Sequence, residues 1–287
     1  MAPILFGWPL VSDAATLSGG SWEATLPITN LQDALVGVVA RTTNDANASS
    51  IINVDFGAAQ YVGVVALVRH NLQKDATWRI RGSANSDMSA ASYDSTATAV
   101  WPAQWDVGVL PTGHPNAATR LLTNAQIAAL NPPRDAVHVL PSDVSARYWR
   151  IELFDATNTD NYIQAGRVVL APRVQPPYQF EPGAEFGFTD STTVGRAMSG
   201  TRFYDSRPKA RTLSVAVSMV SDAFAVTVLR DMVEALGLAG QVYVVTDPSD
   251  TTNLQRRSFL ANLRQLSSVS YAAAGYNTFP FALDEVL

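Results

Sequence analysis

Hydrophobic and polar positions alternate along much of this chain, and the clearest case lies near its middle. In the run Ala146-Arg147-Tyr148-Trp149-Arg150-Ile151-Glu152-Leu153-Phe154, Trp149, Ile151 and Leu153 fall on one side. Tyr148, Arg150, Glu152 and Phe154 fall on the other. Such alternation, rich in aromatic and β-branched residues, predicts a strand with one buried face. Residues 161–170 repeat the pattern after 155–161, a stretch dense in Asp, Asn and Thr, so the two runs are read as a hairpin around a polar loop. Pro172, Pro176 and Pro177 follow, where a sheet ends because proline cannot donate to its ladder.

Upstream, residues 50–57 alternate and stop at Gly57. Residues 61–68 are continuously apolar, as expected of a strand covered on both faces, and 76–83 alternate with Trp78 and Ile80 on one side. Residues 84–140 read as long loops holding one short helix at 123–130, capped by Thr123 and stopped before Pro132. The first 30 residues scatter Pro, Gly and Ser and read as an irregular arm. These short strands without helical alternation predict an antiparallel β-sandwich over about 20–172, within a first domain of residues 1–175 whose first 20 form the arm.

The second half has another texture. Residues 180–204 are turn-rich, and 211–219 form a clean alternating strand. Ser221 then caps a helix at about 222–236, with Asp222 at its positive end. Phe224, Val228, Met232 and Leu236, flanked by Leu229 and Val233, make its apolar stripe, and Gly237 terminates it. Strands at 241–246, 257–263 and 276–283 complete a small α+β domain at 178–287. The fold class expected is therefore mostly β, a sandwich plus an α+β domain with one main helix.

Composition narrows the function. Of 287 residues, 47% are hydrophobic and only 16% charged, which supports a core and leaves two readings of the surface: covered by partners, or polar without charge. A net charge of −5 and no basic run speak against nucleic-acid recognition. The absence of cysteine removes disulfides, thiolate metal sites and cysteine nucleophiles, and fits synthesis in a reducing cytosol. The N-terminal residues lack a basic segment and are broken by Pro3 and Pro9, so no secretory signal is read there. No apolar run approaches the ~20 residues of a transmembrane helix. A soluble protein is expected.

Candidate chemistry is sparse. His70, His114 and His138 have no metal-ligand spacing, and no nucleophile elbow, phosphate loop or dinucleotide fingerprint is present. Asp155/Asp160 and Asp247/Asp250 sit in turns, where aspartate serves its own backbone. No cofactor is expected, Ca²⁺ on oxygen ligands in a sandwich loop being the open alternative. Trp22, Tyr93, Trp101 and Trp105 are the loop aromatics available to stack on a sugar. Arg256-Arg257 and the Arg202–Arg211 region, with Arg207 and Lys209, are basic clusters suited to an acidic patch on a neighbouring subunit or to a solvated face.

Residues 64–72 (VVALVRHNL) with 77–83 (TWRIRGS), and 146–153 with 163–170, resemble the strands of discoidin-like, galactose-binding-type jelly rolls of tailed-phage proteins. Gly187-Phe188-Thr189-Asp190, Arg207-Pro208, Val244-Val245-Thr246-Asp247-Pro248 and Asn253-Leu254-Gln255-Arg256-Arg257 are similar to the tail-tip proteins of long-tailed phages. The resemblance implies a distal-tail-like structural protein of the tail tip or baseplate, not an enzyme. It would be made in the bacterial cytoplasm and carried in the virion. It implies a homo-oligomeric ring, of six copies or alternatively three, contacting the tail tube and other tail-tip proteins through a tail-tube-like second domain. The strand at 211–219 is then the candidate ring edge, with Arg211, Leu213, Val215, Val217, Arg256 and Arg257 as interface residues. The alternative function is a carbohydrate-binding module that meets host-surface glycans through the first domain.

Overall fold

Two strands of exceptional length dominate the first half of the computed structural model, which describes residues 2–130, 132, 134–273 and 275–287. Ile51–Val68 and Ala136–Phe154 pair antiparallel over most of their length, with register shifts between Asp55 and Gln60 and between Val62 and Val64. Bulges of this kind bend a strand and raise its twist, which lets one strand serve two parts of a core. Thr77–Ser83 lies along the far edge of Ala136–Phe154, and Arg167–Ala171 along the far edge of Ile51–Val68. The expected hairpin between 146–154 and 161–170 therefore does not form. Ile51–Val68 lies between the two runs, because each alternating run needs a partner on both edges and the long strand supplies it.

The alternation itself holds. Trp149, Ile151 and Leu153 are buried in a core with Trp78, Ile80, Ile52 and Val54, while Arg81 pairs with Glu152 at 2.8 Å on the other face. Gly82 stands opposite Trp149 in register, and a β-carbon there would lie 3.0 Å from the indole ring. Glycine is the residue that lets the tryptophan lie flat over its neighbouring strand. Residues 62–68, apart from Gly63, whose lack of a side chain leaves room for Asp143, are buried side chains on both faces, as the continuous apolar run predicts. The helix Asn124–Leu130 is closed by a reciprocal cap: the Gln126 amide N–H donates to the Thr123 hydroxyl (3.2 Å), and the Thr123 N–H donates to Gln126 Oε1 (2.9 Å).

The N-terminal segment is not an irregular arm. Leu5–Gly7 is a buried strand that pairs with Arg173–Val174 on one edge and with Tyr243–Val245 on the other, and Thr16–Ser18 adds to Ile51–Val68. The chain separates into two units: Met1–Gln175 with Tyr243–Phe259, and Pro176–Val242 with Leu260–Leu287. Residues 243–259, assigned by hydropathy pattern to the second domain, thus pack with the first, since the apolar run Tyr243–Val245 supplies the partner that Leu5–Gly7 requires.

The second unit is an antiparallel sheet with one helix. Lys209–Ser221 is flanked by Glu185–Asp190 and by Tyr276–Glu285, which pairs in turn with Ser258–Leu263 and Ser270–Ala273. Leu213, Val215 and Val217 face inward; a register shift after Val217, with Met219 at φ 55°, then brings Val220 inward too. The helix runs continuously from Asp222 to Leu236, with Ala225–Arg230 wound as wider π-type turns. Ser221 Oγ accepts from the Phe224 amide at 3.4 Å, and Gly237 closes the other end at φ 54°. Its buried residues are Ala225, Leu229, Met232, Val233 and Leu236. Strands make up 42% of the chain and helices 11%, so it is mostly β, of sandwich type, with one main helix.

Candidate functional site

The second unit carries an apolar surface that its own fold leaves open. In register across the sheet, Leu283 faces Leu213 and Leu213 faces Phe186. Residues directly opposite in an antiparallel pair point to the same face, so this row is one continuous stripe. Leu283 and Leu213 are buried, but Phe186 is 56% exposed and Phe188, on the same side of the same strand, is 72% exposed. Glu185–Asp190 is also the terminal strand of its sheet, with no strand beyond it among the described residues. The core face thus runs past the end of what covers it.

Beyond that strand the chain forms a ribbon, Thr193–Arg196 paired with Arg202–Asp205, in which every residue is exposed. Val194, Phe203 and Tyr204 lie open on it. A two-stranded ribbon is marginal in water by itself. Gly200, at φ +84°, closes the turn, where its N–H donates to the Ala197 carbonyl (2.9 Å) and Met198 stands wholly exposed. The turn-forming Pro182, Gly183, Gly195 and Gly200 mask these apolar positions in the pattern of 180–204; the signal present is the spacing of Phe186/Phe188 and of Phe203 beside Tyr204.

The ring-edge residues expected from the alternating strand are placed differently. Lys209–Ser221 is an inner strand, so Leu213, Val215 and Val217 are spent on this unit's own core and cannot also form a subunit contact. Arg211 is buried and donates to Glu285 at 2.5 Å. Arg257 reaches Asp250 at 3.3 Å and Asp247 at 3.7 Å, whereas Arg256 is exposed. The edge lies one strand further out, at Glu185–Asp190.

In the first unit, the four loop aromatics are held separately. Trp101 is 2% exposed, its indole N–H donates to the Leu72 carbonyl (3.0 Å), and its ring meets His70 edge-on at 5.5 Å. It is a core residue with no face left for a sugar. The Tyr93 hydroxyl bonds His138 Nε2 at 2.5 Å beside Trp149, and burial pushes the phenol upward in pKa and the imidazole of His138 downward. Trp22 and Trp105 are half-buried: the first donates to the Gly19 carbonyl (2.9 Å), the second packs near His114 at 6.2 Å.

His70 is fully enclosed; desolvation, with Arg134 nearby, lowers its pKa to about 3, so it stays neutral and its Nδ1 accepts from the Leu72 amide. Asp247 and Asp250 serve their own turn as expected, accepting from Ser249 N (3.1 Å) and Asn253 N (3.0 Å), whereas Asp155 reaches across to accept from Gln73 N (2.9 Å) and from Asn158 Nδ2 (2.8 Å), and burial raises its pKa. Asp160 accepts from Asn71 Nδ2 at 2.9 Å. Among the described residues, no group of three or more His, Asp or Glu side chains is arranged to hold a metal ion, which leaves the Ca²⁺ alternative without a candidate site there. No helix among them is long and apolar enough to cross a membrane.

Fold and surface together define a mostly β protein of two units, one with its aromatics folded inward and one with an apolar arm turned out. No family model matches the chain, and no curated protein matches it. Among solved structures it is similar to the lectin domain of lectinolysin complexed with Lewis B antigen, at 14% identity over 58% of this chain and 98% of that one, with a TM-score of 0.38. It is also similar to a Streptococcus pneumoniae fucose binding module (12%, 57% and 94%, TM-score 0.36). The family 32 CBM from C. perfringens NanJ in complex with galactose gives 11%, 58% and 98%, with a TM-score of 0.36. Likeness at this level transfers neither a site nor a ligand.

Proposed function

We propose that this protein is a structural component of a phage tail tip or baseplate, and that it assembles into a homo-oligomeric ring through its second unit. One observation carries the reading: the stripe Leu283–Leu213–Phe186 continues onto an edge strand where Phe186, met edge-on by Phe180 at 6.4 Å, is still 56% exposed and Phe188 is 72% exposed. A free edge flanked by exposed phenylalanines is a surface for adding another chain. When the adding chain is a copy related by rotation, repetition closes a ring. The resemblance of residues 187–190 and 244–257 to tail-tip proteins supplies the biological setting.

The test is mass measurement in solution, with negative-stain imaging at high concentration. A discrete closed oligomer, six copies being expected and three the alternative, supports the proposal. A strict monomer at every concentration, together with absence of the chain from purified virions, removes it.

A second reading, glycan contact by the first unit, rests on the half-open rings of Trp22 and Trp105. Binding on a glycan array that is lost in Trp22→Ala or Trp105→Ala, with folding intact, supports it. No binding at millimolar glycan removes it. The two readings are compatible, because they use different units.

A further inference from the structure

The outward face of the first unit's long sheet carries a row of side chains fixed by the strand registers. Asp94 stands opposite Arg81, Arg81 opposite Arg150, Arg150 opposite Asn53, and Asn53 opposite Ser18. Opposed residues of antiparallel strands share a face, and this one looks away from the core that holds Trp149. The row sets two arginines directly against each other, which destabilises a strand pair unless anions offset them. Three arginines here have their anions. Arg79 holds Asp94 (Nε to Oδ1, 2.8 Å), Arg81 holds Glu152 (2.8 Å) and Arg147 holds Asp55 (2.8 Å).

Arg150 has none. Its Nε donates to the neutral Asn53 Oδ1 at 2.7 Å, and its two terminal nitrogens have no acceptor among the described residues. Asp87 lies in its field without touching it, on an exposed loop, its Oδ1 accepting from Ser89 N (2.9 Å) and Ser89 Oγ (2.6 Å). Water screens a carboxylate in such a position. A half-buried guanidinium with both terminal nitrogens unclaimed is a fork that fits the oxygens of a carboxylate or a sulfate.

The row ends at an aromatic ring. After Ser18 the chain turns at Gly19 and Gly20, both at positive φ. A β-carbon on Gly19 would fall 2.5 Å from Asn53 Nδ2, and one on Gly20 would fall 2.8 Å from Trp22 Nε1. The indole N–H donates to the Gly19 carbonyl (2.9 Å), so Arg150, Asn53 and the half-buried Trp22 follow one another along the surface. Cation, amide and indole in that order suit a sugar that carries an acid. The guanidinium takes the oxyanion, the amide a hydroxyl, and the indole packs on a ring. We infer that this row binds an acidic glycan, a sugar bearing a carboxylate or a sulfate, with its charge on Arg150 and its ring against Trp22. This rests on the glycan reading of the first unit and names the class of sugar.

The test is titration calorimetry on the full chain with three probes: a disaccharide ending in glucuronic acid, its glucose-ended counterpart, and one ending in galactose 6-sulfate. A charged probe should bind about tenfold tighter than the neutral one, and added salt should narrow the gap. Preference for glucuronate assigns the site to carboxylates, and preference for the sulfated sugar assigns it to sulfates. Arg150→Gln should remove the preference. Asn53→Asp should remove it too with Arg150 in place, because it supplies the missing carboxylate from within the chain. Equal binding of charged and neutral probes overturns the inference and leaves the glycan reading standing. A preference that survives both substitutions overturns it as well. No binding of any probe at millimolar concentration removes both.

Discussion

Ala136–Phe154 in the first unit and Glu185–Asp190 in the second are both alternating strands with an aromatic residue on the apolar side, yet they meet opposite fates. In the first, Trp149 is covered by Trp78, Ile80 and the close-lying Gly82, and none of its indole remains accessible. In the second, Phe186 stands in register with the buried Leu213, yet Phe186 and Phe188 remain open on the last strand of their sheet. The lesson concerns coverage. An alternating strand states that one face is to be buried, and says nothing of whether the same chain buries it.

The comparison can be pressed from the strongest effect downward. Trp149→Ala should cost about 3–5 kcal/mol, as removal of a fully enclosed aromatic does. Chemical denaturation reads it, and a loss below about 1 kcal/mol would show that the inward face is not the packed core described here.

A buried group of a different kind gives the next effect. His70 is neutral in the folded chain, with a pKa near 3, while the unfolded chain titrates near the ordinary value of about 6.5. Between these values the unfolded state binds the extra proton. Stability is therefore complete above pH 6.5 and falls as pH is lowered, with a slope of up to about 1.4 kcal/mol per pH unit. His138, also lowered by burial, acts with the same sign. Melting temperature between pH 6.5 and 5 measures this, and His70→Gln should flatten the curve; an unchanged slope would reject His70 as its source.

In the second unit, Ser221→Ala removes the acceptor for the Phe224 amide and should cost about 1 kcal/mol. The smallest stability effect is assigned to the arm. Phe188→Ser should leave the folded chain within about 0.5 kcal/mol of the parent, as an exposed substitution does, while abolishing oligomers. If instead it unfolds the second unit, Phe188 belongs to an internal core and the contrast drawn above collapses.

Much of the fold was legible in local pattern. The helix from Ser221 to Gly237, the strand that buries Trp149, Ile151 and Leu153, and the doubly covered run 62–68 all depend on neighbours within a few residues, or on a face whose burial alternation declares. Trp101 does lie in a loop, but its burial was not legible, because its partner, the Leu72 carbonyl, is 29 residues away and leaves no local trace.

What the sequence by itself determined is which side of each element is apolar and where the main helix begins and ends, since capping and periodicity act over one or two turns; the strand expected to stop at Gly57 runs on to Val68. Only the tertiary structure decided who covers those sides. It put Ile51–Val68 between two runs that look like a hairpin, carried Tyr243–Val245 back to the first unit, made Lys209–Ser221 an inner strand, and left Phe186 and Phe188 at an edge. The reason is physical. Strand partners are chosen by long-range closure of hydrogen-bond ladders, which is not written in any window of adjacent residues.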